Sequence, residues 1–316
     1  MPQKTIPYKI DQLFNGQILL IEQLPAESLI NTMIDSYKNL SLPNRQALQD
    51  YFLKYPFWGR LDEAKKDYEL FFNRADALKN HYADFLWFYE RLADYRSKMI
   101  LYFFILNWRY FTLLTPVIEP LYSHYFDLDI MKVSKDEVFV DLGAYRGDTA
   151  LSFIHNYGKG HYKKIYCYEI TPQTITLLEE TLKGYENIVV RPYGASDVSG
   201  VFYLSENGDI SANTLSDSGA TAVKTVLIDE DITEPVSFIK MDIEGFEQRA
   251  LAGCRRHIAE EKPKLAISVY HNNEDIYKIA RIIDEICPGY TFYLRYYGTN
   301  LSPNEVVLLA VYEASS

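Results

Sequence analysis

Cysteine and tryptophan are the scarce residues of this 316-residue chain, at three each. Cys167, Cys254 and Cys287 stand far apart, so there is no CxxC pair and no metal knuckle. An odd, sparse set speaks against a secreted disulfide scaffold and suits a reducing cytoplasm. Positive charge is also short: 32 Lys and Arg face 43 Asp and Glu, a net charge of −11. A general duplex-binding protein needs a basic face to displace counterions, so nucleic acid is not an expected partner. The opening MPQKTIPYKIDQLFNG lacks a basic start followed by an apolar stretch, so no signal peptide is expected and the expected location is cytoplasmic. The most membrane-like stretch, residues 99–122, is interrupted by Asn107, Arg109, Pro116 and Glu119. That pattern predicts a buried aromatic helix and no transmembrane segment.

Aromatic residues are what the chain has in excess, with 27 Tyr and 17 Phe. In the N-terminal part Leu78, Tyr82, Phe85, Tyr89, Leu92, Tyr95 and Met99 recur in steps of three or four. One apolar face of a long helix is the reading. Residues 27–40 and 44–55 also read as helices. The aromatic stripe is first of all helix packing, with a platform for sugar rings or flat substrates as the functional reading. The pattern changes near residue 135. Short β-branched runs at 138–142, 164–169, 187–191, 237–242 and 264–270 alternate with helical stretches at 148–156, 172–182, 245–259 and 274–287. Residues 201–204 and 223–228 look like a small antiparallel excursion, and 290–296 and 305–312 are strands with no helix between them. The expected fold is therefore α/β: a doubly wound, mostly parallel sheet with an antiparallel C-terminal edge, after an aromatic-rich, mainly helical N-terminal domain. The expected boundaries are 1–130 for the helical domain and 131–316 for the α/β domain.

Ligands of such sheets bind at the carboxyl ends of the strands. The first strand ends in VFVDLGAYRGDT, where Asp141 closes the strand and Gly143 and Gly147 flank a tight turn. The spacing G-x-x-x-G is neither the dinucleotide fingerprint nor a P-loop. An acid two residues before the first glycine disfavours a pyrophosphate and suits a ligand with an ammonium group. The second strand ends in Glu169, where an acid can accept both hydroxyls of a ribose. Together these features describe a site for S-adenosylmethionine (SAM). Asp242 and Glu244 follow the strand SFIKMD, and His271 follows the next strand. A hydroxyl acceptor must lose its proton, and His271 is the first candidate to take it, with Asp242 and Glu244 beside it. The cluster with Asn272 also holds donors that suit Mg²⁺ or Ca²⁺, but no metal is assigned. The remaining histidines show no ligand spacing.

Residues from about 135 to 312 resemble the FkbM family of SAM-dependent methyltransferases, which have a class I, Rossmann-like fold. VFVDLGAYRGDT, KIYCYEITPQTITLLEETL, NIVVRPYGASDVSGVFYL and PKLAISVYHNNEDIYKIARII carry the resemblance in order. FIKMDIEGFEQRALAG is its most specific part, through a K-x-D-x-E-G-x-E segment. The resemblance implies O-methylation, often of sugars, polyketides or other secondary metabolites. It implies that Asp141, Gly143, Ala144, Tyr145, Gly147, Asp148 and Thr149 surround the methionine part of SAM. Glu169 then holds the ribose and Ile170 lies against the adenine. Gly194 stands where many such enzymes carry an adenine-binding acid, which leaves the backbone or neighbours such as Asp197 for that contact. The expected partner is a small-molecule or glycan acceptor. The N-terminal helices are expected to cover the acceptor side or to form a homo-oligomer. The competing class is a non-catalytic protein of the same fold used as a scaffold. N- or C-methylation is disfavoured because no D-P-P-Y or N-P-P-Y follows SFIKMD.

Overall fold

In a computed structural model, which describes residues 8–121, 124–205 and 213–312, the N-terminal segment is helical. Its helices are α1 (Lys9–Gln23), α2 (Ala26–Lys38), α3 (Leu42–Lys54), α4 (Glu69–Arg91) and α5 (Tyr95–Tyr110). The apolar periodicity through residues 78–99 is thus shared by two helices. The break has a local cause: Asp94 leaves the helical conformation and its carboxylate accepts from the Ser97 N–H, starting α5 afresh. α5 ends where Phe111 turns left-handed, at φ 53°. No helix among the described residues is long and apolar enough to cross a membrane.

The aromatic excess of this half is used for packing. Phe14 stacks on Tyr89 at 3.8 Å, and Tyr37, Phe71 and Phe111 form a tilted group. Arg74 of α4 is buried with its guanidinium 5.3 Å from the Phe52 ring and 5.4 Å from Trp108. Burial depresses its pKa to about 9, and the aromatic faces offset part of the cost of the charge.

The strands β1 (Glu137–Leu142), β2 (Tyr162–Tyr168), β3 (Ile188–Arg191), β8 (Phe238–Met241), β9 (Lys264–Ser268), β10 (Tyr290–Tyr296) and β11 (Val306–Tyr312) form a sheet ordered β10-β11-β9-β8-β1-β2-β3. β1 runs parallel to β2 and β8, β2 to β3, and β8 to β9, whereas β11 is antiparallel to β9. The expected parallel sheet with antiparallel C-terminal strands is what forms. The crossover helices are α6 (Asp148–Tyr157), α7 (Pro172–Thr181), α9 (Glu247–Gly253) and α10 (Asp275–Ile286), with the one-turn α8 (Ile228–Asp231) before β8. The helix read at 245–259 stops at Gly253 and is followed by a π-helical turn at His257–Glu261. Phe126, Phe139, Phe153 and Phe238 pack as one ring cluster, each fully buried ring contributing roughly 1.5–3 kcal/mol.

β4 (Gly194–Ala195), β5 (Gly200–Ser205), β6 (Thr214–Ser216) and β7 (Ala222–Val226) make a second sheet ordered β4-β7-β5-β6. β5 is antiparallel to both β7 and β6, while β4 runs parallel to β7. The chain divides into two compact units, one of Met1–Glu119, Asn272–Lys278 and Tyr293–Val306, the other of Pro120–His271, Ile279–Phe292 and Val307–Ser316.

Candidate active site

Strand order reverses at β1, whose neighbours are β2 on one side and β8 on the other, and the carboxyl ends of these strands form the crevice where such folds bind ligands. Asp141 is in register with Lys240 of β8, so two oppositely charged side chains meet inside the sheet. Their ion pair is 3.1 Å long with both groups buried. Burial raises the Asp141 pKa to about 6 against the pull of Lys240. Lys240 is itself held above its ordinary value: burial opposes its charge, but Asp141 and Asp242 outweigh it. The ammonium also donates to the Gly143 carbonyl at 2.7 Å. Lys240 thus ties Asp141 to the turn, which the motif alone does not reveal.

The turn 143–147 is pinned to the end of β2. Gly143 and Ala144 donate to the Tyr168 carbonyl, and Tyr145, at φ 45°, donates to Glu169 Oε2 at 3.0 Å. Glu169 Oε1 accepts from Ile170 N at 2.7 Å and Thr171 N at 2.8 Å. Burial raises the Glu169 pKa, and these backbone donors limit the rise. With a further hydrogen bond from the Thr171 side chain, Glu169 is held on four sides and shapes the turn. Asp148 and Thr149 open α6, with Gly147 at φ 86° as the residue before it. Half-buried Ile170 and Phe246 pack on the core of the small sheet, formed by Phe202, Leu204, Leu215 and Val223. A Cβ on Gly194 would meet Leu215 at 2.9 Å and Thr225 at 3.2 Å, so the small sheet fills the space an acid would need. Asp197 pairs with Arg249 at 2.7 Å, and burial is outweighed by that partner so that its pKa is low.

The acceptor-side candidates do come together. His271 is 1% exposed, with Nδ1 2.9 Å from Glu247 Oε1 and Nε2 3.5 Å from Asp242 Oδ1 and 3.4 Å from Glu244 Oε2. Burial opposes charging the imidazole, yet Glu247, Glu244 and Asp242 overcome it and raise its pKa well above the ordinary value. The Asp242 carboxyl is pushed up by burial but held low overall by His271, Lys240 and a 2.6 Å hydrogen bond from the Tyr125 hydroxyl. Glu244 has φ 54°, a left-handed conformation. Glu247 accepts from Ile243 N at 2.8 Å and Gly245 N at 3.1 Å, which fixes it at the start of α9. The Asn272 amide donates to Asp275 at 3.0 Å. Sequence reasoning missed Lys240, Glu247 and Tyr125. The first two lie in the K-x-D-x-E-G-x-E segment and were available there; Tyr125 sits in the join before β1 and carries no local signal. His124 stacks on Tyr125 at 3.9 Å, and burial lowers its pKa to about 4.

The acid-glycine turn meets the acid-histidine cluster directly. A Cβ on Gly143 would lie 1.8 Å from the Asp242 carbonyl oxygen. The donors fit a nucleoside joined to a charged amino-acid tail: an acid at the end of β2, apolar side chains beside it, and a glycine turn after β1. These features define a nucleoside-binding, Rossmann-like α/β domain. Residues 141–296 match the Methyltransferase FkbM domain. Methyltransferase FkbM from Methylobacillus flagellatus KT is 27% identical, with 75% of this chain and 61% of that chain covered and a TM-score of 0.63. The chain thus spans about three fifths of that protein's length. An rRNA methylase from Streptococcus thermophilus (17% identity, 57% and 90% covered, TM-score 0.37) and Aeropyrum pernix fibrillarin with bound S-adenosyl-L-methionine (15%, 57% and 67%, 0.37) overlap too loosely to bear on function. No curated protein matches the sequence.

Proposed function

We propose that the protein is a SAM-dependent O-methyltransferase whose acceptor is a hydroxyl of a small or glycosylated molecule, a sugar among them. The observation that carries this reading is the direct abutment of Gly143 and Asp242, which sets the cofactor turn against a proton-accepting cluster. When bound, SAM supplies an electrophilic methyl group on a sulfonium. The turn 143–147 and Glu169 are the residues that would hold the methionine and ribose parts, with Ile170 beside the base. Lys240 keeps Asp141 and the Gly143 carbonyl in place, so the turn is set before the cofactor arrives. Attack on a methyl carbon needs an in-line oxygen close by, and much of the rate comes from positioning. Its carboxylate neighbours keep the His271 imidazole charged, so Asp242, with Glu244 beside it, is the group placed to take the hydroxyl proton. The helical residues 1–130 are assigned to acceptor choice or self-association, and the residues from 131 onward to transfer.

Turnover is tested by following S-adenosylhomocysteine with a panel of sugars and other hydroxyl acceptors. Asp242→Asn should keep SAM affinity within about threefold and lose about 10²–10⁴-fold in rate. Full turnover in Asp242→Asn and in Glu244→Gln would remove the cluster from the reaction. SAM binding without turnover on any hydroxyl acceptor would favour the scaffold reading.

A further inference from the structure

The segment after β8 and the end of β9 set one imidazole among three carboxylates. Nδ1 of His271 is committed to Glu247, while Nε2 faces Asp242 and Glu244. One donor atom from each of Asp242, Glu244 and His271 lies within 4.8 Å of the others. Atoms bound to a first-row divalent cation at about 2.0–2.2 Å stand about 3.0–3.5 Å apart. The separations of 3.5 and 3.4 Å from Nε2 already have that size, and are too long for good hydrogen bonds. Glu247 adds a second reason. It is buried, fixed by two backbone N–H groups, and holds the far nitrogen of the ring. A carboxylate in that place sets the tautomer and direction of a metal-binding histidine.

We propose that Asp242, Glu244 and His271 bind one divalent cation of the Mn²⁺ or Zn²⁺ type, with Glu247 as the residue that orients His271. One nitrogen and two carboxylate donors suit such an ion better than Ca²⁺, which takes six to eight oxygens. Three protein ligands leave a coordination position open for an oxygen of the acceptor. Cation binding needs neither SAM nor acceptor, so it can be measured apart from the transfer reaction, although the same three side chains are invoked in both.

The test uses the full chain stripped with EDTA and titrated with MnCl₂, free Mn²⁺ being followed by electron paramagnetic resonance, with ZnCl₂ as competitor. One Mn²⁺ per chain is expected. Asp242→Asn and Glu244→Gln should each weaken it at least tenfold, and Glu247→Gln about 10–100-fold. Mn²⁺ should raise the Tm of the unaltered protein and raise that of Asp242→Asn less, which separates lost ligation from lost folding. Absence of both Mn²⁺ and Zn²⁺ binding, or unchanged affinity in both carboxylate variants, would overturn the proposal. SAM affinity measured in EDTA reports on the cofactor alone, so failure of the metal site and failure of the transfer reading give different results.

Discussion

Lys240 is the residue on which most of the site depends. It pairs with buried Asp141, donates to the Gly143 carbonyl and helps keep Asp242 ionised. Breaking a buried pair from one side leaves a stranded charge, at a cost of about 3–5 kcal/mol. Lys240→Met should therefore unfold in urea with a loss of that order. The double variant Asp141→Asn/Lys240→Met should lose at least about 1 kcal/mol less than the sum of the single changes. Strict additivity would mean that the two groups do not act as a pair. His124 gives a prediction in pH. Its folded pKa near 4 lies below the ordinary 6.5, so between those values the unfolded chain takes a proton that the native one refuses. Stability from this residue is fully present above pH 6.5 and is lost as pH falls towards 4, by up to about 3 kcal/mol. His124→Asn should flatten the fall of Tm across that window relative to the unaltered protein, and an equal fall in both would contradict the assignment.

At the scale of elements, the end of β1 shows what a sequence can and cannot convey. Gly143 and Gly147 stand out in VFVDLGAYRGDT, and their positive φ of 80° and 86° bears out a turn that needs glycine. What each glycine faces was not legible. Gly143 is pressed against the Asp242 carbonyl, and Gly147 is covered by Leu178 and Leu182 of the α7 region. A pattern of residue types encodes local conformation but not which distant strand lies alongside. The same limit explains Tyr125, which reaches Asp242 from a join with no periodicity to mark it. The two halves of the aromatic run through 78–99 kept their spacing but not their continuity, because one N-cap at Asp94 outweighs a periodic face. Gly143→Ala should cost about 1–3 kcal/mol from backbone strain alone, and more if β1 is pushed off β8. Thermal unfolding of this variant at near-native Tm would show that the turn yields easily.

For the whole molecule, composition already set the class: too acidic for duplex binding, too poor in cysteine for a disulfide scaffold, and rich enough in alternating elements for an α/β sheet. The sheet order and the crevice at the β1–β8 boundary then place the named acids at one edge. The central claim is that this edge binds SAM through Glu169 and the turn after β1. Calorimetric titration of the full chain with SAM tests it most directly. The unaltered protein should bind one SAM per chain, and Glu169→Ala should weaken binding by about 1.5–3 kcal/mol, roughly ten- to a hundredfold, the range for hydrogen bonds to a charged group. Equal SAM affinity in the two proteins, or no SAM binding by either, would contradict it.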